Sequence, residues 1–290
     1  MRMNLESLRC FCAIVQHGSF RAAAKSLHRS QPAISQQVKG LETALGCVLL
    51  DRKHNSLTPE GKLIYARARE ILQATVGLRK ELDDLHARGV QCIRVGTSDT
   101  MALYYLPQHI HAFTRAHPYT RLELVNRSSD AIAALVRQGE LDLGIVTLPQ
   151  DDAELREEPL LEQQLALVAP KGHPLAQTKR IDFAALETQP FLLLDVHTRT
   201  GSLLQACFAQ HDFTPQVVLD SGSFEVIKRY VREGVGLSFL PVALLDDADE
   251  ALEVIPFPGL PTIQIGAIRR HGAYQSRAES TLLEILKSQV

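Results

Sequence analysis

The sequence predicts two parts of different class: an all-α head of three short helices prolonged by one long helix, then an α/β domain built of two halves. Three observations predict this. Charge divides near residue 90, short capped helical patterns and a heptad seam fill the chain before it, and strands alternate with helices after it. The 290 residues, 45% hydrophobic and 22% charged, are ample for two soluble globular domains.

The formal net charge of -2 argues against a protein that coats a polyanion along its whole surface. Divided, it reads otherwise: residues 1–90 carry a net +6 and residues 91–290 a net -8. A compact basic module on a larger acidic one points to polyanion contact by the first alone.

Leu5, Leu8, Phe11, Cys12 and Val15 recur at helical spacing, so Leu5 to His17 is a first amphipathic helix ended by Gly18. Ser19 caps a second, Phe20 to Leu27, in which Ala22, Ala23 and Ala24 permit close helix approach. His28-Arg29-Ser30 turns the chain. Ser30 caps a third helix whose Pro32, in the first turn, sacrifices no intrahelical hydrogen bond. Ile34, Val38, Leu41 and Leu45 form its buried stripe, leaving Gln31, Pro32, Ser35, Gln36 and Lys39 outside.

That outer face has short hydrogen-bonding side chains, one cation and no acid before Glu42. It suits the second helix of a helix-turn-helix, whose N-terminal residues meet base edges while cations meet phosphates. Glutamine can pair bidentately with adenine. A three-helix bundle with a solvated polar face is the alternative. After Gly46, Cys47 to Leu57 forms a two-stranded wing with Arg52 and Lys53 at its tip.

Thr58-Pro59 opens a helix running to about Arg88. Ile64, Ala68, Ile71, Thr75, Leu78, Leu82 and Leu85 alternate at steps of four and three, a heptad seam on a helix of roughly 45 Å. A partner helix is implied. The alternative is a helix laid on its own chain.

The run FRAAAKSLHRSQPAISQQVKGLETALGCVLLDRKHNSLTPEG, the densest part of Leu5 to Gly61, resembles the winged helix-turn-helix of LysR-type transcriptional regulators. The resemblance implies that Ser30, Gln31, Pro32, Ser35, Gln36 and Lys39 contact double-stranded DNA from the recognition helix, and Arg52 from the wing. Gln36 stands where many members have Arg, which weakens the case for guanine readout there.

From Cys92, strands at Ile93 to Thr97, Leu122 to Val125 and Leu143 to Val146 alternate with helices at Leu103 to Ala116 and, capped by Ser129, to Gln138. A second set follows: strands Gln164 to Val168, Phe191 to Leu194, Val217 to Leu219 and Gly236 to Phe239, with helices Ser202 to Gln210 and Phe224 to Glu233. Strand Ile263 to Ile268 and a helix about Ser276 to Lys287 close the chain. The alternation predicts parallel-dominated sheets. The resemblance implies a periplasmic-binding-protein-like effector domain of two subdomains, with crossover strands near Glu162 to Val168 and Gln264 to Arg269. The expected division is 1–58 for the winged module, 59–89 for the linker helix and 90–290 for the effector domain. Within the last, subdomain I takes about 90–161 and 268–290 and subdomain II about 162–267.

Ligands of such sheets bind beyond the carboxyl ends of strands, at helix N-termini. Ser98, Asp99, Thr100 and Thr147 hold that position in the first half. His197, Thr198, Arg199, Thr200, Ser202, Ser223 and Phe224 hold it in the second. Hydroxyls suit a small polar ligand, and Arg199 suits its carboxylate or oxyanion. Asp99 opposes an anion, and each hydroxyl has helix capping as its alternative role.

His109 and His111, two apart on a helix, point away from each other and make no metal pair. Five cysteines without a CxxC pair give neither a disulfide framework nor a metal site. Cys207 reads as helix core, with peroxide sensing as the alternative. No nucleophile elbow, zinc-protease or phosphate-loop motif occurs, so no catalysis and no cofactor are expected. No window resembles a membrane span or signal peptide, and a cytosolic protein is expected.

The reading is therefore a DNA-binding regulator controlled by a small, anionic effector, dimeric through its linker helix and tetrameric in action, with RNA polymerase as a further partner. The alternative is a solute-binding or small-molecule enzyme domain whose basic head serves oligomerisation alone.

Overall fold

The computed structural model describes residues 3–51, 56–86, 92–178, 181–245 and 249–288. The chain divides into two compact units, Met1–Ala87 and Arg88–Val290.

In the first unit α1 (Leu5–His17) is capped by Asn4 in a reciprocal box with Ser7, and Gly18 ends it in the left-handed region. The second helix, α2 (Phe20–Ser26), starts at Ser19, whose hydroxyl accepts from the Ala22 amide at 3.1 Å. Ser30 caps α3 (Gln31–Leu45) in the same way through Ala33. Ile34, Val38 and Leu41 are buried as their spacing requires, against Leu8, Phe11 and Ile14 of α1 and Ala23 and Ala24 of α2. The wing is real but short: β1 (Leu50–Asp51) pairs antiparallel with β2 (Ser56–Leu57). Arg52 and Lys53 lie outside the described residues.

Thr58 caps α4 (Pro59–His86), accepting from the Gly61 amide at 2.9 Å while donating to the Val48 carbonyl at 2.7 Å. Gly61 is obligatory there, because a Cβ would stand 2.0 Å from the Leu49 carbonyl oxygen. The seam on α4 is divided. Ala68 is buried and Ile64 packs beside it in the core of the unit, with Tyr65 edge-on to Phe11 at 6.3 Å. Further along, Ile71, Leu78, Leu82 and Leu85 are exposed, Leu85 at 71%. The first heptad serves the unit itself, and the free seam begins near Ile71.

The second unit opens with β3 (Cys92–Thr97), which pairs in parallel with β4 (Arg121–Asn126) and β5 (Leu143–Thr147). Helices α5 (Leu106–Ala116) and α6 (Ser129–Gln138) connect them. The segment Met101–Tyr105 before α5 is π-helical, where a plain α-helix was expected. Pro107 has no N–H for the Leu103 carbonyl, and the Leu106 amide reaches the Met101 carbonyl instead. The strand expected at Gln164 to Val168 is the last part of a 16-residue strand, β6 (Leu155–Pro170). Next come β7 (Pro190–Leu194), α7 (Arg199–Gln210), β8 (Gln216–Ser221), α8 (Phe224–Arg232) and β9 (Ser238–Pro241). The chain then passes through β10 (Leu252–Ile255), β11 (Thr262–Arg270) and α9 (Arg277–Lys287).

The sheets are mixed, which corrects the parallel-dominated expectation. β7 and β8 run parallel, but β11 is antiparallel to both β5 and β6, and β6 is antiparallel to β9 and β10. The reason is the return of the chain: β6 leaves the first half and β11 comes back to it, side by side and opposed. The segments that the resemblance marked as crossovers, Glu162 to Val168 and Gln264 to Arg269, lie within β6 and β11. The last helix packs on α5, and the Tyr105 hydroxyl donates to the Leu286 carbonyl at 2.6 Å.

One buried cluster runs through both halves, from Ile93, Phe113 and Ile145 of the first to Leu167, Phe191 and Phe239 of the second, while Ile132 and Val136 pack in a smaller cluster of the first half. In the second half, six phenylalanines interlock, with Phe191 stacked on Phe239 at 5.4 Å and Phe183 edge-on to Phe257 at 4.8 Å. Such pairs contribute about 0.5–1.5 kcal/mol beyond area burial. Cys207 is buried beside them; burial pushes its thiol pKa up, and its Sγ lies 3.3 Å from the Gly259 carbonyl oxygen.

Candidate DNA-reading face and ligand cleft

In the first turns of α3 the exposed side chains are Gln31, Pro32, Gln36 and Lys39, with Ser35 half-buried among them. Ser30 is exposed; its hydroxyl accepts from the Ala33 amide at the cap and keeps its own O–H as a donor. The face therefore combines amides that can donate and accept with one cation, and Glu42 is turned away to accept from the Leu49 amide at 2.9 Å. Burial of the opposite stripe fixes which residues look outward.

In the second unit a cavity of about 470 Å³ lies between the halves, over the crossover strands. Helix starts surround it. Ser98, Asp99 and Thr100 follow β3, Arg127 and Ser128 follow β4, and Thr147 ends β5. Across from them are His197, Thr198, Arg199 and Thr200 at the start of α7, and Ser223 and Phe224 at the start of α8. Ten of the eleven residues expected at the ligand line this space.

Ser202 does not line it. The sequence suggested a helix beginning at Ser202, but the start is Arg199, with Thr198 as cap. Thr198 accepts from the Gly201 amide at 3.0 Å and donates to the Asp195 carbonyl at 2.7 Å. Gly201 is required, since a Cβ would fall 2.1 Å from that same carbonyl oxygen. Ser202 is thus one turn in, its hydroxyl donating to Val196 at 2.9 Å, beside a shallower pocket.

Capping divides the hydroxyls. Ser98 and Thr198 accept from the amides of Met101 and Gly201. Ser128, the true N-cap of α6, makes no side-chain cap bond, and neither does Ser223 of α8. Ser129, expected to cap α6, instead accepts from the Thr147 amide at 3.2 Å. Two helix starts, one in each half, therefore present uncapped amides and positive dipole ends to the cavity.

Arg199 departs from its expected part. Its Nε donates to Asp130 at 2.8 Å, Nη1 to the Pro149 carbonyl, and Nη2 to the Gln150 carbonyl at 3.3 Å. A guanidinium so occupied joins α7 to α6 and to the turn after β5; it is not a free anion receptor. Asp99 is likewise engaged, accepting from Asn126 at 2.9 Å, and Asp195 accepts from the His197 amide at 2.8 Å.

A second tie joins the halves. Lys228 of α8, buried, donates to Asp249 at 2.6 Å and to the Leu244 carbonyl at 2.6 Å, and reaches the Tyr104 hydroxyl at 3.3 Å. Burial pulls the Lys228 pKa down, but Asp249 and Tyr104 outweigh it and the net direction is up.

Several lining residues escaped the sequence reading: Asn126, Arg127, Ser128, Gln163, Asp195 and the apolar pair Ile263 and Ile265. The segment Asn126 to Ser129 follows a strand end and obeys the rule used for the others. Gln163 and the isoleucines lie on the crossovers, where only topology brings them to the cleft. Among the described residues no group of three or more His, Cys, Asp or Glu is placed for a metal ion, and no helix is long and apolar enough to cross a membrane.

Comparison with known proteins bears on both units. Residues 5–62 match the bacterial regulatory helix-turn-helix model of the lysR family, and residues 89–290 the LysR substrate binding domain. The chain is 31% identical to the HTH-type transcriptional regulator CfxR of Cupriavidus necator, over 84% of this chain and 77% of that one. It is 30% identical to a probable RuBisCO transcriptional regulator of Cyanidioschyzon merolae, over 97% and 96%. The structure of full-length OxyR from Pseudomonas aeruginosa superposes with a TM-score of 0.76 at 28% identity, covering 99% of this chain and 96% of that one. The chain belongs to the LysR family of DNA-binding transcriptional regulators, with an N-terminal helix-turn-helix and an α/β substrate-binding domain through which such regulators take small-molecule effectors.

Proposed function

We propose that this regulator reads an operator with α3 and the wing, dimerises through α4, and is switched by a small oxyanion or carboxylate held between the halves of its second unit. The proposed boundaries are 1–58 for the reader, 59–89 for the linker and 90–290 for the effector domain. The DNA contacts are Ser30, Gln31, Pro32, Ser35, Gln36, Lys39 and Arg52. The effector contacts are Ser98, Asp99, Thr100, Thr147, His197, Thr198, Thr200, Ser223 and Phe224. Arg199 closes the site from the side, and Ser202 stands outside it.

One observation carries the anionic reading: the uncapped starts of α6 and α8 belong to opposite halves and line one cavity. An anion accepting from both is favoured by their dipoles and gains most when the halves are close. A ligand shifts the equilibrium only by its difference in affinity for open and closed forms, and this geometry supplies one. Closure changes how effector domains pair in a tetramer, and with it the spacing of two DNA-bound dimers and their contact with RNA polymerase, in the cytoplasm. The buried thiol of Cys207 favours an effector over a peroxide signal.

The test is a footprint on DNA upstream of the chain's own gene, with and without sulfate as the simplest oxyanion. A protected region whose extent changes with sulfate supports the reading. Superimposable footprints reject the spacing mechanism, and no binding at low salt favours a solute-binding domain with a basic oligomerisation head.

A further inference from the structure

Gln163 lies on β6 where the strand passes from one half to the other. It is 7% exposed, its neighbours Glu162 and Gln164 face solvent, and its ladder partner is the buried Ile263 of β11. The carboxamide offers two N–H donors and an acceptor. Among the described residues none of these meets a protein partner; the side chain lines the cavity beside Ile263 and Ile265. A carboxamide on the cavity wall is left for a ligand to meet, where a leucine would offer none of these groups.

Two hydroxyls share this condition. Thr147, 9% exposed, ends β5; its amide donates to Ser129 and its carbonyl accepts from Gln150, but among the described residues its hydroxyl meets no protein partner. Thr200, 6% exposed in the first turn of α7, likewise leaves its hydroxyl to the cavity. One threonine belongs to each half and Gln163 to the strand joining them. All three groups are neutral; of the cavity's guanidiniums, Arg199 is committed to Asp130, Pro149 and Gln150, and Arg127 stands beside the start of α6, at the proposed anion site. A carboxylate held by these three alone would be desolvated without a counter-charge and would confront the amide oxygen of Gln163. A hydroxyl, which both donates and accepts, satisfies the set.

We infer that Gln163, which lines the cleft together with Thr147 and Thr200, is the specificity-determining residue of the cleft and reads a hydroxyl on the effector. This inference rests on the proposed oxyanion site at the starts of α6 and α8. The ligand class is then a small hydroxylated acid, its anion on the helix amides and its hydroxyl on the crossover strand.

The experiment compares, on the full chain, three pairs of acids differing by one hydroxyl: acetate and glycolate, propionate and lactate, succinate and malate. Titration calorimetry is expected to give the hydroxylated member about fivefold to tenfold tighter binding in at least one pair. Gln163→Leu is expected to erase that preference, leave the affinity for the deoxy acid within about twofold, and hold the Tm of the free protein, since no hydrogen bond to a described protein group is removed. Thr200→Val serves as a second variant with the same expected loss. Acid binding without preference, or a preference that survives both variants, overturns the inference while sparing the oxyanion site. A clear fall in the Tm of Gln163→Leu also overturns it, by showing a structural role. If no acid of any pair binds below about 20 mM, the oxyanion reading fails and the inference with it.

Discussion

Arg199 of α7 and Asp130 of α6 join the two halves of the effector domain across the mouth of the cleft, with Nε and Oδ1 2.8 Å apart. The same guanidinium also holds the carbonyls of Pro149 and Gln150, so the contact has three anchors on one side and a single side chain on the other. Asp130 lies in the first turn of α6, where the helix dipole also favours its charge. Arg199→Ala removes every anchor and is expected to enlarge the ligand-free protein, read as a larger radius of gyration by solution scattering. Asp130→Asn keeps the carbonyl contacts and should act less. Because Asp130 is largely exposed, the coupling in a double-mutant cycle should be modest, about 0.5–1 kcal/mol by denaturant unfolding. Additive single effects would show that the pair does not hold the halves.

Lys39 and Gln36 share the outer face of α3 but differ in chemistry, so their variants should separate. Lys39→Ala is expected to weaken binding alike on operator and random DNA and to lower the salt slope by about one. Gln36→Ala is expected to cost about 1–3 kcal/mol on the operator, with random DNA little affected. Gel shifts at three salt concentrations distinguish them. Equal losses on both DNAs for Gln36→Ala would remove it from base readout.

The two units were legible in the sequence to different degrees. In the first, apolar spacing and capping residues located α1 and the start of α3 to the residue, because Ser30 and the left-handed Gly18 are local signals, whereas the Asn4 cap went unread. In the second, helix positions followed from the same signals, and ten cleft residues came from the rule that ligands sit beyond strand ends. What stayed hidden depended on long-range pairing. The antiparallel course of β6 and β11 is set by the return of the chain, so the position of Gln163 in the cleft left no local trace. The engagement of Arg199 was hidden likewise, since Asp130 is 69 residues away along the chain. The short β10, Leu252–Ile255, went unread although Pro256 and the Pro258-Gly259 turn follow it, because four residues are too few for an alternation to stand out.

The seam of α4 yields a third expectation. Ile64 and Ala68 are used inside the winged unit, whereas Leu78, Leu82 and Leu85 face solvent in the single chain. A lysine at position 82 in place of Leu82 would put a charge into a helix–helix contact while leaving the folded unit untouched. Sedimentation velocity should find Leu82→Lys monomeric where the parent is at least dimeric, and Ala68→Lys should instead unfold the head. An unchanged oligomer in Leu82→Lys would move the dimer contact off this seam.

Thiol reactivity tests the packing of the cysteines. Cys92 is exposed and Cys47 half-buried, while Cys10, Cys12 and Cys207 are buried. Burial pushes the Cys12 thiol up to about 12 and raises those of Cys10 and Cys207 as well. Since the thiolate is the nucleophile, an aromatic disulfide reagent at pH 8 should label Cys92 first and Cys207 only on unfolding. Labelling of Cys207 as fast as Cys92, or peroxide-dependent loss of DNA binding abolished by Cys207→Ser, would restore the redox reading.

Glu158 supplies the pH dependence. It lies on β6 and accepts from Lys287 of α9 at 2.5 Å and from Arg269 of β11 at 3.3 Å, tying the last helix to both crossover strands. The hydrogen bond from Lys287 lowers its pKa below the usual glutamate value, burial opposes this, and Arg269 adds to the lowering. A carboxylate whose folded pKa is depressed contributes stability that is fully present above its unfolded pKa near 4.5 and is lost as pH falls through the folded value. Glu158→Gln should therefore be less stable than the parent by about 1 kcal/mol at pH 7, with the difference closing as the pH drops below about 4.5. Thermal unfolding of both proteins between pH 7 and pH 3 measures it. A difference constant across that range would mean that the loss is one of packing, and that the charge on Glu158 does not hold α9 in place.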